Sequence, residues 1–277
     1  MEFLSHYYAQ HDADLTAEVP AESFGGWKQR SLDVPKQESA LVVMHAWNPG
    51  LVDTLPFGPD APHAGWYRVV EYLPRAMRIT REVLPPLLAA ARAGGLDVIH
   101  VGTKQYASRY PGYALAMDIA GASPEPRHGA PTSAVREQWD RERLAQALGA
   151  HNLCGIDAGF SLLDIAPQAM PLDHEPLVVD AHQFNAVCRH RRIWHLIYCG
   201  FAINWCMLLS PGGMADMVRL GYTCSAIRDA VTAAENRDTA RQELCKEIAL
   251  WRVALDFGYV FDSADLIAAL ALCEDMD

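Results

Sequence analysis

The chain has 277 residues, 51% of them hydrophobic and 21% charged, which is the balance of a globular protein with a substantial core. Its net charge of −11, with no block of clustered Lys and Arg, excludes nucleic acid as the main partner, and no apolar run reaches the roughly 18 residues of a membrane helix. Seven scattered cysteines without C-x-x-C pairs, behind an N-terminus lacking the basic-then-apolar pattern of a secretory signal, predict reduced thiols and a cytoplasmic protein.

Residues 1–39 have no clear period and read as an N-terminal arm over the surface. Residues 40–277 read as a single α/β domain. Its first strong signal is Ala40-Leu-Val-Val-Met44, an unbroken apolar run of the kind found in strands buried on both faces of a parallel sheet. Turn chemistry follows at His45 to Gly50.

A helix is predicted from about Arg75 to Ala93, with a kink or break at Pro85-Pro86, and a second strand over Leu96–Val101. The stretch from about 105 to 176 reads as an elaborated insertion able to cover a pocket, with one helix at Ser133–Leu148. Beyond it come strands at 177–181, 195–199, 222–227 and 259–261, alternating with helices at 185–192, 204–220, 237–255 and 265–272. The basic residues Arg189 to Arg192 read as a solvated helix end. This alternation predicts a three-layer α/β/α fold with a six-stranded, mainly parallel sheet.

Reactive groups in open α/β sheets collect beyond the carboxyl ends of the strands. His45, Ala181 and Cys206 occupy such places. Cys206, six residues after Gly200 at the start of a predicted helix, is set to be a nucleophile, because unpaired N–H groups and the helix dipole lower a thiol pKa. Packing as a small apolar group is the ordinary alternative for a cysteine.

The segment Gly200-Phe-Ala-Ile-Asn-Trp-Cys206-Met207 resembles the cysteine signature G-v-x-T-x-x-C-v of the isochorismatase-like hydrolases. Ala40 to Asn48 is similar to that family's A-L-L-V-I-D-M-Q-N strand, and Leu87–Val101 to its next helix and strand. Ala181 to Val187 resembles K-x-r-y-S-A-F, and Gly221 to Ala230 the G-y-x-v-x-v-v-x-D-A strand. Phe261 to Leu266 is similar to the closing strand and helix. The resemblance implies a three-layer, Rossmann-like fold, a small-molecule substrate and a homodimer or homotetramer.

It also exposes departures. Where the family has a catalytic aspartate this chain has His45, and where it has a lysine this chain has Ala181. Ile203 stands at the family's threonine. Asp180 and His182 flank the lysine position, where a one-residue slip turns a strand side chain to the other face; His182 remains a candidate substrate-binding residue if the strand ends before it. Extra sequence follows the cysteine around Ser210 to Gly213, with Ser210 predicted as the N-cap of a second helical piece. The resemblance places an oxyanion site at Phe201 and Ala202, whose peptide bond is expected to be cis. Trp47 and Trp205 flank the expected pocket.

His100 reads as a structural histidine, Lys104 as an exposed lysine, and no metal or cofactor is expected. The reading these residues give is hydrolysis of a small amide or related C–N bond through a Cys206 thioester. His45 would act as base, the pair titrating together with thiolate appearing below the pKa of a free cysteine. The alternative is a catalytically silent member of the same fold that binds a small molecule or serves as an assembly subunit.

Overall fold

The computed structural model describes all residues except 54, 59, 62, 125–130 and 275–277. Its strands are β1 (Glu2–Ala9), β2 (Gly26–Asp33), β3 (Ser39–Met44), β4 (Asp97–Val101), β5 (Leu177–Val178), β6 (His195–Phe201), β7 (Thr223–Thr232) and β8 (Val260–Phe261). They form one sheet in the order β2-β1-β8-β7-β6-β3-β4-β5. Neighbours from β8 to β5 are parallel, and β1 alone is reversed, pairing antiparallel with both β8 and β2.

Every residue of β3 and β6 is buried, as their uninterrupted apolar runs require at the centre of a parallel sheet. Successive side chains leave opposite faces. Leu41 and Val43 join Leu84, Leu87, Leu88 and Leu266 in one apolar layer, while Ala40, Val42 and Met44 join Phe184, Val187, Met217 and Leu250 in the other. Helices Leu73–Glu82, Leu84–Ala93 and Ser263–Glu274 cover the first face. Helices Ala181–Arg191, Met214–Arg219 and Leu244–Arg252 cover the second. The three-layer α/β architecture is the expected one.

The sheet has eight strands rather than six. Residues 2–9 and 26–33, within the stretch read as a surface arm, pair with each other and extend the sheet beyond β8. They are anchored by the His6–Asp262 hydrogen bond (2.7 Å) and by Phe3 edge-on to Phe261. The helix predicted over 75–93 is two, parted at Val83, with Pro85 in the first turn of the second, where a missing N–H costs nothing.

Strand β5 stops at Val178. Ala181, expected to end that strand, is instead the first residue of a helix, with Asp180 as N-cap accepting from the Gln183 N–H (2.9 Å). The basic run closes that helix, and Arg191 pairs with Asp97. The helix predicted over Ser133–Leu148 is present as Ala134–Leu148, with Ser133 as its N-cap.

Gly200 is fixed by sterics. Its φ is +118°, and a Cβ there would lie 1.9 Å from the Met44 carbonyl oxygen. The absent side chain lets the carboxyl ends of β3 and β6 meet, in a register that pairs Met44 with Gly200.

Candidate active site

His45 and Cys206 follow the adjacent strands β3 and β6 on the carboxyl edge of the sheet. His45 takes a left-handed backbone (φ 51°), its N–H donating to the Val101 carbonyl at 3.2 Å. This turns the ring onto Trp47, with centroids 4.9 Å apart and planes 14° apart. Residues 160–166 pack against this segment. Ala166 N–H donates to the Ala46 carbonyl (2.8 Å), Asn48 N–H to the Asp164 carbonyl (3.1 Å), and Phe160 stands edge-on to Trp47. Residues 125–130 of the insertion lie outside the described residues.

The result is a desolvated imidazole. Burial lowers the His45 pKa to about 4, opposed in part by the Gly102 carbonyl, and Nδ1 has no hydrogen-bond partner. Trp47 is itself only 8% exposed, so it is a wall of the core beside His45 rather than of an open pocket.

Cys206 opens a helix of only four residues, Cys206–Leu209. The helical segment expected over 204–220 is in two pieces, as predicted, but the second begins at Met214, after Pro211-Gly212-Gly213, rather than at Pro211. Ser210 caps the end of the first piece rather than the start of the second. So short a helix contributes little dipole. Burial pushes the Cys206 thiol up, against the opposing pull of the Ser210 hydroxyl and of the backbone N–H groups of Ala202 and Cys206. The expectation of a thiol lowered by a helix start and by His45 is therefore reversed: burial outweighs the neutral donors that face the sulfur.

The Phe201–Ala202 peptide bond is cis, as expected. Both side chains are in the core, so only backbone groups of this pair reach the site. Asn204 ties the loop down by exchanging two hydrogen bonds with the Ala234 backbone (2.8 and 2.9 Å), and Ile203 is fully buried. Trp205 is 49% exposed, with the Tyr72 ring edge-on to it at 6.4 Å.

His182 is exposed and hydrogen-bonds the Ala120 carbonyl at 3.1 Å. It lines a cavity of about 410 Å³ with Lys104, Asp180, Ala181 and Pro211. Neither His45 nor Cys206 is among the residues that line it. His100 is buried at 3.0 Å from Glu175, which also takes Arg92 at 2.7 Å, a satisfied structural network. Among the described residues no group of three His, Cys, Asp or Glu is placed to hold a metal ion. No described helix is long and apolar enough to cross a membrane.

Ser210 and Tyr72 are the site residues that sequence reasoning missed as neighbours of the thiol. Ser210 lies one turn beyond Cys206, a spacing visible in the sequence. Tyr72 had no local signal.

No protein-family model and no curated protein match the chain. Solved structures that it resembles include a cysteine hydrolase, an isochorismatase family protein and an amidase. A cysteine hydrolase from Pseudomonas syringae pv. phaseolicola is 18% identical over 87% of this chain and 96% of its own, with a TM-score of 0.49. An isochorismatase family protein from Burkholderia thailandensis is 18% identical over 86% and 98%, with a TM-score of 0.45. N-carbamoylsarcosine amidase from Thermoplasma acidophilum is 14% identical over 82% and 96%, with a TM-score of 0.44.

Proposed function

We propose that the chain hydrolyses an amide or related C–N bond of a small molecule through a thioester at Cys206, with His45 as the base. The observation that carries this reading is the thiol beyond the central strand β6, half-buried and faced by the N–H groups of Ala202 and Cys206 and the Ser210 hydroxyl. Donors so placed suit the negative charge that develops on sulfur and on a substrate oxygen beside it.

In this scheme the sulfur bonds to the carbonyl carbon as the thiol proton passes to His45. The C–N bond then breaks, and the nitrogen leaves with that proton. Water adds to the thioester, releasing a carboxylic acid and restoring the thiol. Both pKa shifts keep the resting pair neutral, so the proton moves only as sulfur bonds to carbon.

Those same shifts, with Ala181 offering no ammonium, favour a second reading: a silent member of the fold that binds a small molecule or serves in an assembly. Family resemblance points to a homodimer or homotetramer under either reading. The test is ammonia release from a panel of small primary amides, with intact-mass detection of an acyl adduct. Turnover and an adduct that both vanish in Cys206→Ala support the hydrolase. A wild-type protein with neither leaves the second reading in its place.

A further inference from the structure

We infer that Tyr72, Trp205 and Leu209 form an apolar wall beside the thiol, and that the group it receives is uncharged and aromatic or bulky aliphatic. The inference rests on Cys206 being the reacting group and adds the class of substrate.

Three observations support it. Leu209 lies three residues from Cys206 in the same helical turn, and its N–H donates at 2.8 Å to the carbonyl of Trp205, the residue that precedes the cysteine, so the turn ties both large apolar residues to the thiol's segment. Leu209 is 74% exposed and Trp205 49% exposed, large apolar surface left open beside a half-buried sulfur. Tyr72 is buried edge-on against Trp205, and the Cys206 sulfur is near enough that its charge would act on the Tyr72 hydroxyl. Tyr72 thus supports Trp205 from behind.

Charge completes the argument. The groups acting on the Cys206 thiol are a hydroxyl and two backbone N–H donors, all neutral. Glu71, next to Tyr72, is held by Arg75 at 2.8 Å. A substrate carboxylate or ammonium would find no counter-charge among these groups and would have to be desolvated against an indole and an isobutyl group.

The experiment compares labelling of Cys206 by iodoacetamide and by N-benzyl-2-iodoacetamide, read by peptide mapping because Cys154 is also exposed. After normalisation to free cysteine, the benzyl reagent is expected to be favoured about tenfold and to show saturation, the order expected for burying one aromatic ring. In Trp205→Ala/Leu209→Ser the preference is expected to fall to near one. A wild-type ratio near one, or a preference that the double variant leaves unchanged, overturns the wall. Should Cys206 resist both reagents, the nucleophile assignment fails on its own, and the wall is judged by calorimetry of benzamide binding to Cys206→Ser. Saturable binding weakened several-fold by Leu209→Ser supports it. No binding, or binding indifferent to Leu209→Ser, overturns it.

Discussion

The His45 imidazole lies flat on the Trp47 indole, 4.9 Å from centroid to centroid, in a segment against which residues 160–166 pack. Burial leaves the imidazole neutral near pH 7, with a pKa of about 4. His195, buried between the hydroxyls of Ser39 and Ser225, is lowered to the same value by burial. Both folded values lie below the ordinary 6.5. The unfolded chain therefore takes up protons first, and stability is lost as pH falls from about 6.5 toward 4. Each histidine should cost about 2 kcal/mol between pH 7.5 and 5. Urea unfolding at the two pH values checks this, and His45→Gln should reduce the difference by about 2 kcal/mol.

The thiol of Cys206 should titrate above a free cysteine, because burial outweighs its neutral donors. Its iodoacetamide alkylation should be slower than that of free cysteine at pH 7 and climb steeply in alkali. Ser210→Ala should move the profile further upward, and Ser210→Thr, which keeps a hydroxyl, should leave it near wild type. A profile indifferent to position 210 would remove the hydroxyl from the account of the sulfur.

Glu175 should be the most costly carboxylate to remove. It is 2% exposed and accepts from Arg92 (2.7 and 2.9 Å), from the Leu172 N–H (2.9 Å) and from His100 (3.0 Å). Its own burial raises the pKa, but the hydrogen bonds from His100, Arg92 and Leu172 win and hold it at about 2. Glu175→Ala takes the carboxylate from His100 and leaves Arg92 only the Met170 carbonyl, and an unfolding experiment should show a loss of about 3–5 kcal/mol. The group's stabilisation is present above about pH 4.3 and fades as pH drops toward 2.

Gly200→Ala should fail at the backbone. The new methyl would meet the Met44 carbonyl oxygen at 1.9 Å in a left-handed conformation, where neither strand can yield without opening the β3–β6 pairing. A loss of about 3 kcal/mol or more in unfolding free energy is expected, or failure to fold when expressed.

The central strands were legible because complete burial leaves no polar alternation, as in Ala40 to Met44 and His195 to Phe201. The first two strands were not. In β1 exposed and buried residues mix without strict alternation, and in β2 no residue is buried, so neither carries a core signal. Around the site, the cysteine and the cis bond were readable from one contiguous segment, Gly200 to Met207. The desolvation of His45 was not, since the residues that pack against its segment come from far along the chain and leave no trace near position 45. Ala181 was misplaced by a local effect: the Asp180 N-cap starts the helix before the strand reaches it.

The outer strand of the N-terminal hairpin has a bearing on self-association. Lys28, Gln29, Arg30 and Ser31 of β2 are all exposed, two of them cationic in a chain of net charge −11. A strand of this kind makes a poor template for a second sheet, whereas β8, with Val260 and Phe261 fully buried, would make a good one if uncovered. The hairpin is thus a guard rail for the sheet. Deleting residues 1–33 should turn the chain toward edge-to-edge aggregation, a failure of solubility more than of local packing.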